Sequence, residues 1–254
     1  MKLLSANNLV KAYGGLRVTD NLDLAIDVGQ LHAVIGPNGA GKSTLIGQLS
    51  GELSPDSGQI VFDGRDVTNK TVATRARSGI ARSYQISSVF LEFSVFENVL
   101  LAVQAHRGHN FRFWMKASDV RSIADAALQM LDVTGLSDRR DVRASEMAHG
   151  ELRQLELAMT LAGNPKLLLL DEPMAGMSQA ESERMTELLI GLKGRYAMLL
   201  IEHDMDAVFA LADRITVLVY GRAIAVGTPA EIRLDQKVRE AYLGEEADLT
   251  VGES

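Results

Sequence analysis

The 254-residue sequence contains no cysteine. That excludes a disulfide framework and any thiolate metal site, and it suits the cytoplasm. No stretch approaches the ~18 apolar residues that a membrane-spanning helix needs. The longest apolar runs, around Leu167–Leu170 and Ile215–Tyr220, have the length of strands. A membrane role therefore has to come through a partner chain. The opening residues Met1–Asn8 lack the apolar core of a secretory signal. An excess of positive charge is also missing, since 26 Lys and Arg against 33 Asp and Glu leave a net charge of −7. This weighs against a nucleic-acid partner, whose phosphates require a basic face, without excluding a local patch. No low-complexity tract and no internal repeat is present. The chain is long enough for one large α/β domain, or two intimate subdomains, with a substantial core.

Gly36-Pro37-Asn38-Gly39-Ala40-Gly41-Lys42-Ser43 fits G-x-x-x-x-G-K-[ST], the loop that wraps nucleotide phosphates. An apolar extended segment, Leu31–Ile35, runs into it, and a helix-forming segment, Thr44–Leu49, leaves it. Glycines let the backbone bend so that several N–H groups point at phosphate oxygens, and the helix N-terminus adds partial positive charge. In such a loop Lys42 reaches the β- and γ-phosphates and the Ser43 hydroxyl ligates Mg²⁺. The competing reading, a glycine-rich turn, loses weight once the flanking strand and helix are counted.

Leu22, Leu24 and Ile26 alternate with Asp23 and Asp27 as in a half-buried strand. Gln59–Gly64 reads as a strand ending in a turn. These segments predict a small β-rich layer over a nucleotide-binding core. From about Ser88 to Leu161 the pattern becomes helical. Val120, Ile123, Ala124, Ala127, Leu128 and Leu131 follow helical spacing, with Ser118 as the expected N-cap, and Glu151–Ala162 is helix-like. Within this insert, Ala105–Lys116 mixes Arg and His with Phe111, Phe113 and Trp114. That mix suits single-stranded nucleic acid, but in an acidic chain it reads better as a loop or helix edge packed on a neighbour. Lys166–Asp171, Met198–Ile201 and Ile215–Tyr220 are expected strands. A helix carrying Met185, Leu188, Leu189 and Leu192 on one face lies between the first two. Alternating strands and helices imply a parallel sheet covered on both faces. The polar tail from Glu245 is expected to fray.

Leu167-Leu168-Leu169-Leu170-Asp171-Glu172 reads as a buried strand ending in two carboxylates. Ligands of open parallel sheets bind beyond the carboxyl ends of the strands, which places both acids beside the phosphate loop. Asp171 can hold Mg²⁺ through its water shell, and Glu172 can polarise a water attacking the γ-phosphate. Adjacent strand residues point opposite ways, so the two acids can serve different roles.

Taken in order, these elements resemble the ATP-binding subunits of ABC transporters over nearly the whole chain. The resemblance implies an α/β P-loop NTPase core, a mainly parallel sheet flanked by helices. It adds an N-terminal antiparallel β subdomain and a helical insert carrying the signature motif. It divides the chain into core and β subdomain at 1–87 and 162–235, helical subdomain at 88–161 and C-terminal extension at 236–254. The ligands implied are ATP, along Gly36 to Thr44, and Mg²⁺ at Ser43, Gln85 and Asp171. Tyr13 matches the aromatic that stacks on adenine. Gln85, in Ser83-Tyr84-Gln85, matches the glutamine that senses γ-phosphate and Mg²⁺ and faces the membrane partner. Glu172 matches the catalytic base, His203 the histidine that contacts γ-phosphate and positions the water, and Lys42 completes the catalytic set. His32, His106 and His109 read as satisfied polar residues, and their spacing gives no metal site.

The signature departs from the family. Where LSGGQ is usual, the chain has Met147-Ala148-His149-Gly150-Glu151. His149 and Glu151 resemble a variant in importers of branched-chain amino acids and related solutes. Ala148 lacks the serine hydroxyl, and one lost charge-assisted hydrogen bond is worth ~1.5–3 kcal/mol of nucleotide contact. Gly150 and the following helix still offer N–H groups, so a weakened half-site is expected. Ser178 stands where the family often has Asp. In the family the signature, here Ala148, His149, Gly150 and Glu151, acts in trans, so the chain must dimerise, and a partner with an intact signature would compensate for Ala148. Gly227–Ile232 followed by Val238–Gly244 resembles the ending of importer ATPases for branched-chain amino acids, amides and urea. The resemblance thus implies an ATPase subunit on the cytoplasmic face of the inner (plasma) membrane. Its partners would be permease subunits, a second like or unlike ATPase and a solute-binding protein, with no nucleic acid. Rival readings are a lipid or lipopolysaccharide export ATPase, a soluble ABC ATPase acting on nucleic acid or ribosomes, and a pseudo-ATPase.

Overall fold

Strands that are apolar on both faces and strands that alternate divide this chain into two sheets. The computed structural model describes residues 1–83, 89–106 and 117–241. Gln85, residues 107–116 with Phe111, Phe113 and Trp114, and the tail from Tyr242 lie outside them. The alternating strands β1 (Lys2–Tyr13), β2 (Leu16–Asp27), β4 (Ser57–Phe62) and the short β5 (Arg65–Asp66) form an antiparallel sheet in the order β2-β1-β4-β5. Leu22, Leu24 and Ile26 are buried on its inner face while Asp23 and Asp27 are exposed. The turn after β4, Asp63-Gly64, has both residues at positive φ, the geometry of a two-residue hairpin.

The second sheet holds β3 (Leu31–Ile35), β6 (Ile80–Arg82), β7 (Leu167–Asp171), β8 (Ala197–Ile201), β9 (Arg214–Val219) and β10 (Arg222–Gly227) in the order β10-β9-β3-β8-β7-β6. It is parallel except for β10 against β9. Its central strands separate two cores. Val34, Leu167, Leu169, Leu199 and Ile201 face helix α1 (Lys42–Ser50) and the antiparallel sheet. Leu31, Ala33, Leu168, Leu170 and Leu200 face the other helices. The unbroken apolar runs are the consequence of burial on both faces. Tyr220, expected to end β9, instead occupies a turn at φ 46° and is exposed.

Helix α1 ends at Gly51, φ 89°. The buried Arg75 of α2 (Val72–Ser78) donates to its last carbonyls, Gln48 O at 2.6 Å and Leu49 O at 2.8 Å. A cation at a helix C-terminus both satisfies orphan acceptors and complements the dipole. The helical layer contains α3 (Val95–His106), α4 (Ala117–Val133) and α5 (His149–Leu161), followed by α6 (Gln179–Leu192), α7 (Met205–Leu211) and α8 (Pro229–Leu234). Ser118 lies within α4 and is not its N-cap. Ile123, Ala127 and Leu131 of α4 are buried, whereas Leu128 is exposed. Met130 takes the core position that the spacing gave to Leu128. The buried Asn98 holds the segment before α3. It accepts from Phe90 N at 2.8 Å and donates to the carbonyls of Phe90 and Ser94, both at 3.0 Å.

His32, on β3, is buried between the sheets, with Nε2 2.8 Å from Thr216 Oγ1. Burial, assisted by the Arg214 charge and only partly offset by the backbone of Ala25, pushes its pKa down from 6.5 to about 4. Between pH 6.5 and about 4 the unfolded chain takes up a proton that the folded imidazole refuses. Stability should fall with acidification there by up to ~1.4 kcal/mol per pH unit. Urea unfolding across this window should show the decline, and His32→Asn should flatten it. An identical slope in the variant would assign the decline to other groups.

Candidate functional site: a phosphate loop beside two strand ends

The phosphate loop is shaped by how closely other backbones approach it. A Cβ on Gly36, φ 150°, would lie 2.0 Å from the Leu218 carbonyl oxygen, and one on Gly41, φ 102°, would lie 2.2 Å from that of Val18. Only glycine fits either place. Ala40 N donates to Pro37 O at 3.2 Å, and Gly221 N donates to Ala40 O at 2.9 Å, closing the loop against the β9–β10 turn. The buried Lys42 turns its ammonium into the loop, donating to Gly36 O at 2.6 Å and Pro37 O at 2.9 Å. Ser43 is exposed and Thr44 half-buried in the first turn of α1. Asn38 and Gly39 are exposed at the rim. Tyr13 ends β1 at the tip of the β1–β2 hairpin, half-exposed, with Lys11 Nζ 5.7 Å from its ring centre. Val18 of the same hairpin is the residue against Gly41.

Because β3, β8 and β7 are parallel neighbours, their C-terminal ends open on one edge. The loop leaves β3 there, Asp171 and Glu172 leave β7, and His203 leaves β8. Asp171 is buried and accepts from Arg82 Nη2 at 2.8 Å. Burial raises its pKa, Arg82 opposes that, and the Glu172 and Glu52 charges add to it. Glu172 is not an extension of the strand. It sits at φ 50°, in the left-handed region, a conformation that costs a non-glycine residue roughly 1–3 kcal/mol. Strand alternation therefore does not apply to the pair; Asp171 meets Arg82 and Glu172 meets His203 because the chain turns between them. The turn is held by Glu172 N donating to Ile201 O at 2.9 Å. Below it the buried Glu202 accepts from Met174 N and His203 N, both at 2.9 Å. The side chains of Glu172 and His203 meet, Oε1 to Nε2, at 2.8 Å. A carboxylate paired with an imidazole at the mouth of a phosphate loop can orient and deprotonate a water.

The signature residues lie at the start of α5. Ala148 is the N-cap and offers no side-chain acceptor; Glu151 accepts from Ala148 N at 3.0 Å and pairs with Arg139 Nε at 2.8 Å. His149 Nε2 lies 3.3 Å from Ala175 O. Gly150 N donates to Glu181 Oε1 at 3.1 Å, while Glu181 Oε2 accepts from Ser178 N at 2.9 Å and Ser178 Oγ at 2.6 Å. One carboxylate therefore caps α6 and also fills part of the anion-seeking end of α5. Arg82, Glu181 and Glu202 were missed in the sequence. Only Glu181 carried a signal there, the S-x-x-E capping box begun by Ser178. Gln85 lies outside the described residues. Among the described residues no cluster of three metal-binding side chains occurs. No helix among them is long and apolar enough to cross a membrane.

A glycine loop opening a helix, beside two carboxylates at the end of a parallel strand of the same sheet, defines a P-loop nucleotide-binding fold. Comparison with known proteins gives its family. The sequence family described as ABC transporter matches residues 19–175, and that described as branched-chain amino acid ATP-binding cassette transporter matches residues 224–248. The chain belongs to the ABC transporter family as an ATPase subunit. A probable branched-chain amino acid transport ATP-binding protein LivG of Archaeoglobus fulgidus is 34% identical, over 96% of each chain. The high-affinity branched-chain amino acid transport ATP-binding protein LivG of Escherichia coli is 36% identical, over 96% of this chain and 98% of that one. A crystal structure of the ADP conformation of an ATP-binding cassette of an ABC transporter superposes with TM-score 0.83 at 29% identity, over 96% of this chain and 99% of that one. A nucleotide-free cassette gives 0.82 at 29%, over 95% and 99%.

Hydrogen bonds from the Ser178 hydroxyl, the Ser178 backbone and the Gly150 backbone hold the Glu181 pKa down to about 2, against 4.5 ordinarily. A depressed carboxylate stabilises the fold above its unfolded value and loses that contribution as pH falls towards the folded value. Glu181→Ala should lower the urea midpoint at neutral pH, and the gap from wild type should narrow steadily below pH 4.5. A gap independent of pH would mean that packing, not the charge, is what Glu181 supplies.

Proposed function

We propose that this chain energises import of a small polar solute, branched-chain amino acids or related amides and urea, by hydrolysing ATP at the site built around Gly36–Thr44. The observation that carries the reading is the Glu172–His203 pair at the strand ends next to the phosphate loop. Lys42 and the loop N–H groups bind and neutralise the phosphates, Tyr13 stacks on the adenine, and Thr44 contributes at the helix start. Glu172 takes the proton of the attacking water, and His203 orients that water and the γ-phosphate. A carboxylate with a hydroxyl suits a hard cation that keeps much of its water. Ser43 and Asp171, with Gln85, would hold Mg²⁺. That ion, when bound, neutralises charge on the phosphates.

The match at residues 224–248 and the names of the relatives support an importer over a lipid exporter or a nucleic-acid switch. The permease is seated by the segment from Val89 to Val99, where Phe90, Leu91 and Phe93 are exposed and the rings of Phe90 and Phe93 stack at 5.4 Å. A cleft of about 300 Å³ opens between α2, β6 and the helices α3 and α5. A solute-binding protein delivers the solute, and the chain works peripherally on the cytoplasmic face. Two ATPase chains sandwich two nucleotides, each P-loop site closed by Ala148–Glu151 of the other chain or by the partner's own signature. The missing hydroxyl at Ala148 favours a heterodimer in which this chain's P-loop site is the more active.

Glu172→Gln should retain ATP binding, lower turnover at least ~100-fold, and accumulate a nucleotide-bound dimer on gel filtration. Retained turnover would remove Glu172 from the role of base. Ala148→Ser should raise ATPase of the chain assayed alone. Full activity of the wild-type chain alone, unchanged by the serine, would contradict the heterodimer.

A further inference from the structure

Arg82 ends β6, and its register opposite Leu169 of β7 places it beside the end of that strand. Its guanidinium pairs in two directions. Nη2 donates to Asp171 Oδ2 at 2.8 Å, and Nη1 pairs with Glu52. The arginine side chain is 15% exposed and that of Asp171 5%. Glu52 follows the Gly51 that ends α1, the helix that begins with Lys42 and Ser43. A single planar cation therefore spans the far end of the Ser43 helix and the carboxylate that terminates β7.

We propose that Arg82 is a positioning residue for metal binding, holding Asp171 Oδ2 so that Oδ1 is kept for the hydrated cation and fixing α1 relative to β7. The inference rests on the ATPase reading above. Three acids, Glu52, Asp171 and Glu172, converge here, and the carboxylate that must meet the metal is the buried one. Left to itself it would rotate towards any donor available. A guanidinium gives it one fixed partner, and the rigid fork lets the same group hold Glu52. An ammonium at this place supplies charge but not the fork. Partners of this kind, one step behind the metal ligand, typically set metal affinity by 10–100-fold.

The test uses the purified full chain and a fluorescent ATP analogue, with nucleotide binding measured in EDTA and then as Mg²⁺ is added. Arg82→Met should bind the nucleotide in EDTA as wild type does, yet need about tenfold more Mg²⁺ for half-maximal response. Arg82→Lys should recover part of that loss. Glu52→Gln, a milder change for the case that Arg82→Met does not fold, should shift the Mg²⁺ midpoint in the same direction by less. An unmoved Mg²⁺ midpoint in folded variants overturns the inference. So does an equal loss of binding with and without Mg²⁺, which would make Arg82 a purely structural residue. Failure of the wild type to bind the nucleotide at all would overturn the functional reading, and this inference with it.

Discussion

The close approach of two carbonyls to two glycines is the constraint on which the rest of this structure depends. Leu218 O and Val18 O come so near Gly36 and Gly41 that a side chain at either glycine would collide with backbone. One carbonyl belongs to the parallel sheet and the other to the antiparallel sheet. The loop is therefore clamped where the two sheets meet, and its backbone is held in place by the fold itself. Asp20 adds to the clamp, accepting from Arg222 Nη2 at 2.6 Å and so tying β2 to β10. Pre-organised backbone dipoles of this kind need no rearrangement when charge develops in the transition state.

From that clamp the arrangement of the candidate site follows. Parallel order fixes which strand ends surround the loop, and each end carries candidate site residues: Asp171 closing β7 with Glu172 next to it, and His203 after β8. The strained turn at Glu172 and the buried Glu202 below it are what bring the acid and the imidazole into contact. Glu202 is an anchor for the backbone. It gathers two backbone N–H groups so that two loops share one anchor.

Much of this was legible in the sequence because motif and periodicity are local. The boundaries of β3 could be read from Leu31–Ile35 directly, and the loop from its glycines and Lys42. Ser118 is not the cap that its place before a helical pattern suggests, because α4 already includes it. Leu128 was given to the core by spacing that the helix resolves in favour of Met130. What was not legible depends on contacts between distant segments: Arg82 with Asp171, Gly150 with Glu181, Met174 with Glu202. The positive φ of Glu172 was hidden for a related reason, since only the surrounding hydrogen bonds hold a glutamate there.

The departure at Ala148 gains meaning from its neighbours. With no hydroxyl at the cap, the start of α5 is held through backbone groups, by Glu151 on one side and Glu181 on the other. The anion-seeking end of that helix is already partly satisfied within the chain, which fits a subunit that relies on a different partner for a full signature. The central claim, an ATPase that drives a permease beside a second ATPase, is tested most directly by tagging this chain and identifying what co-purifies from native membranes. Two multi-spanning permease chains with a second, similar ATPase carrying serine at the position of Ala148 is the predicted result. Recovery only in the soluble fraction, with ribosomes or nucleic acid, would contradict it.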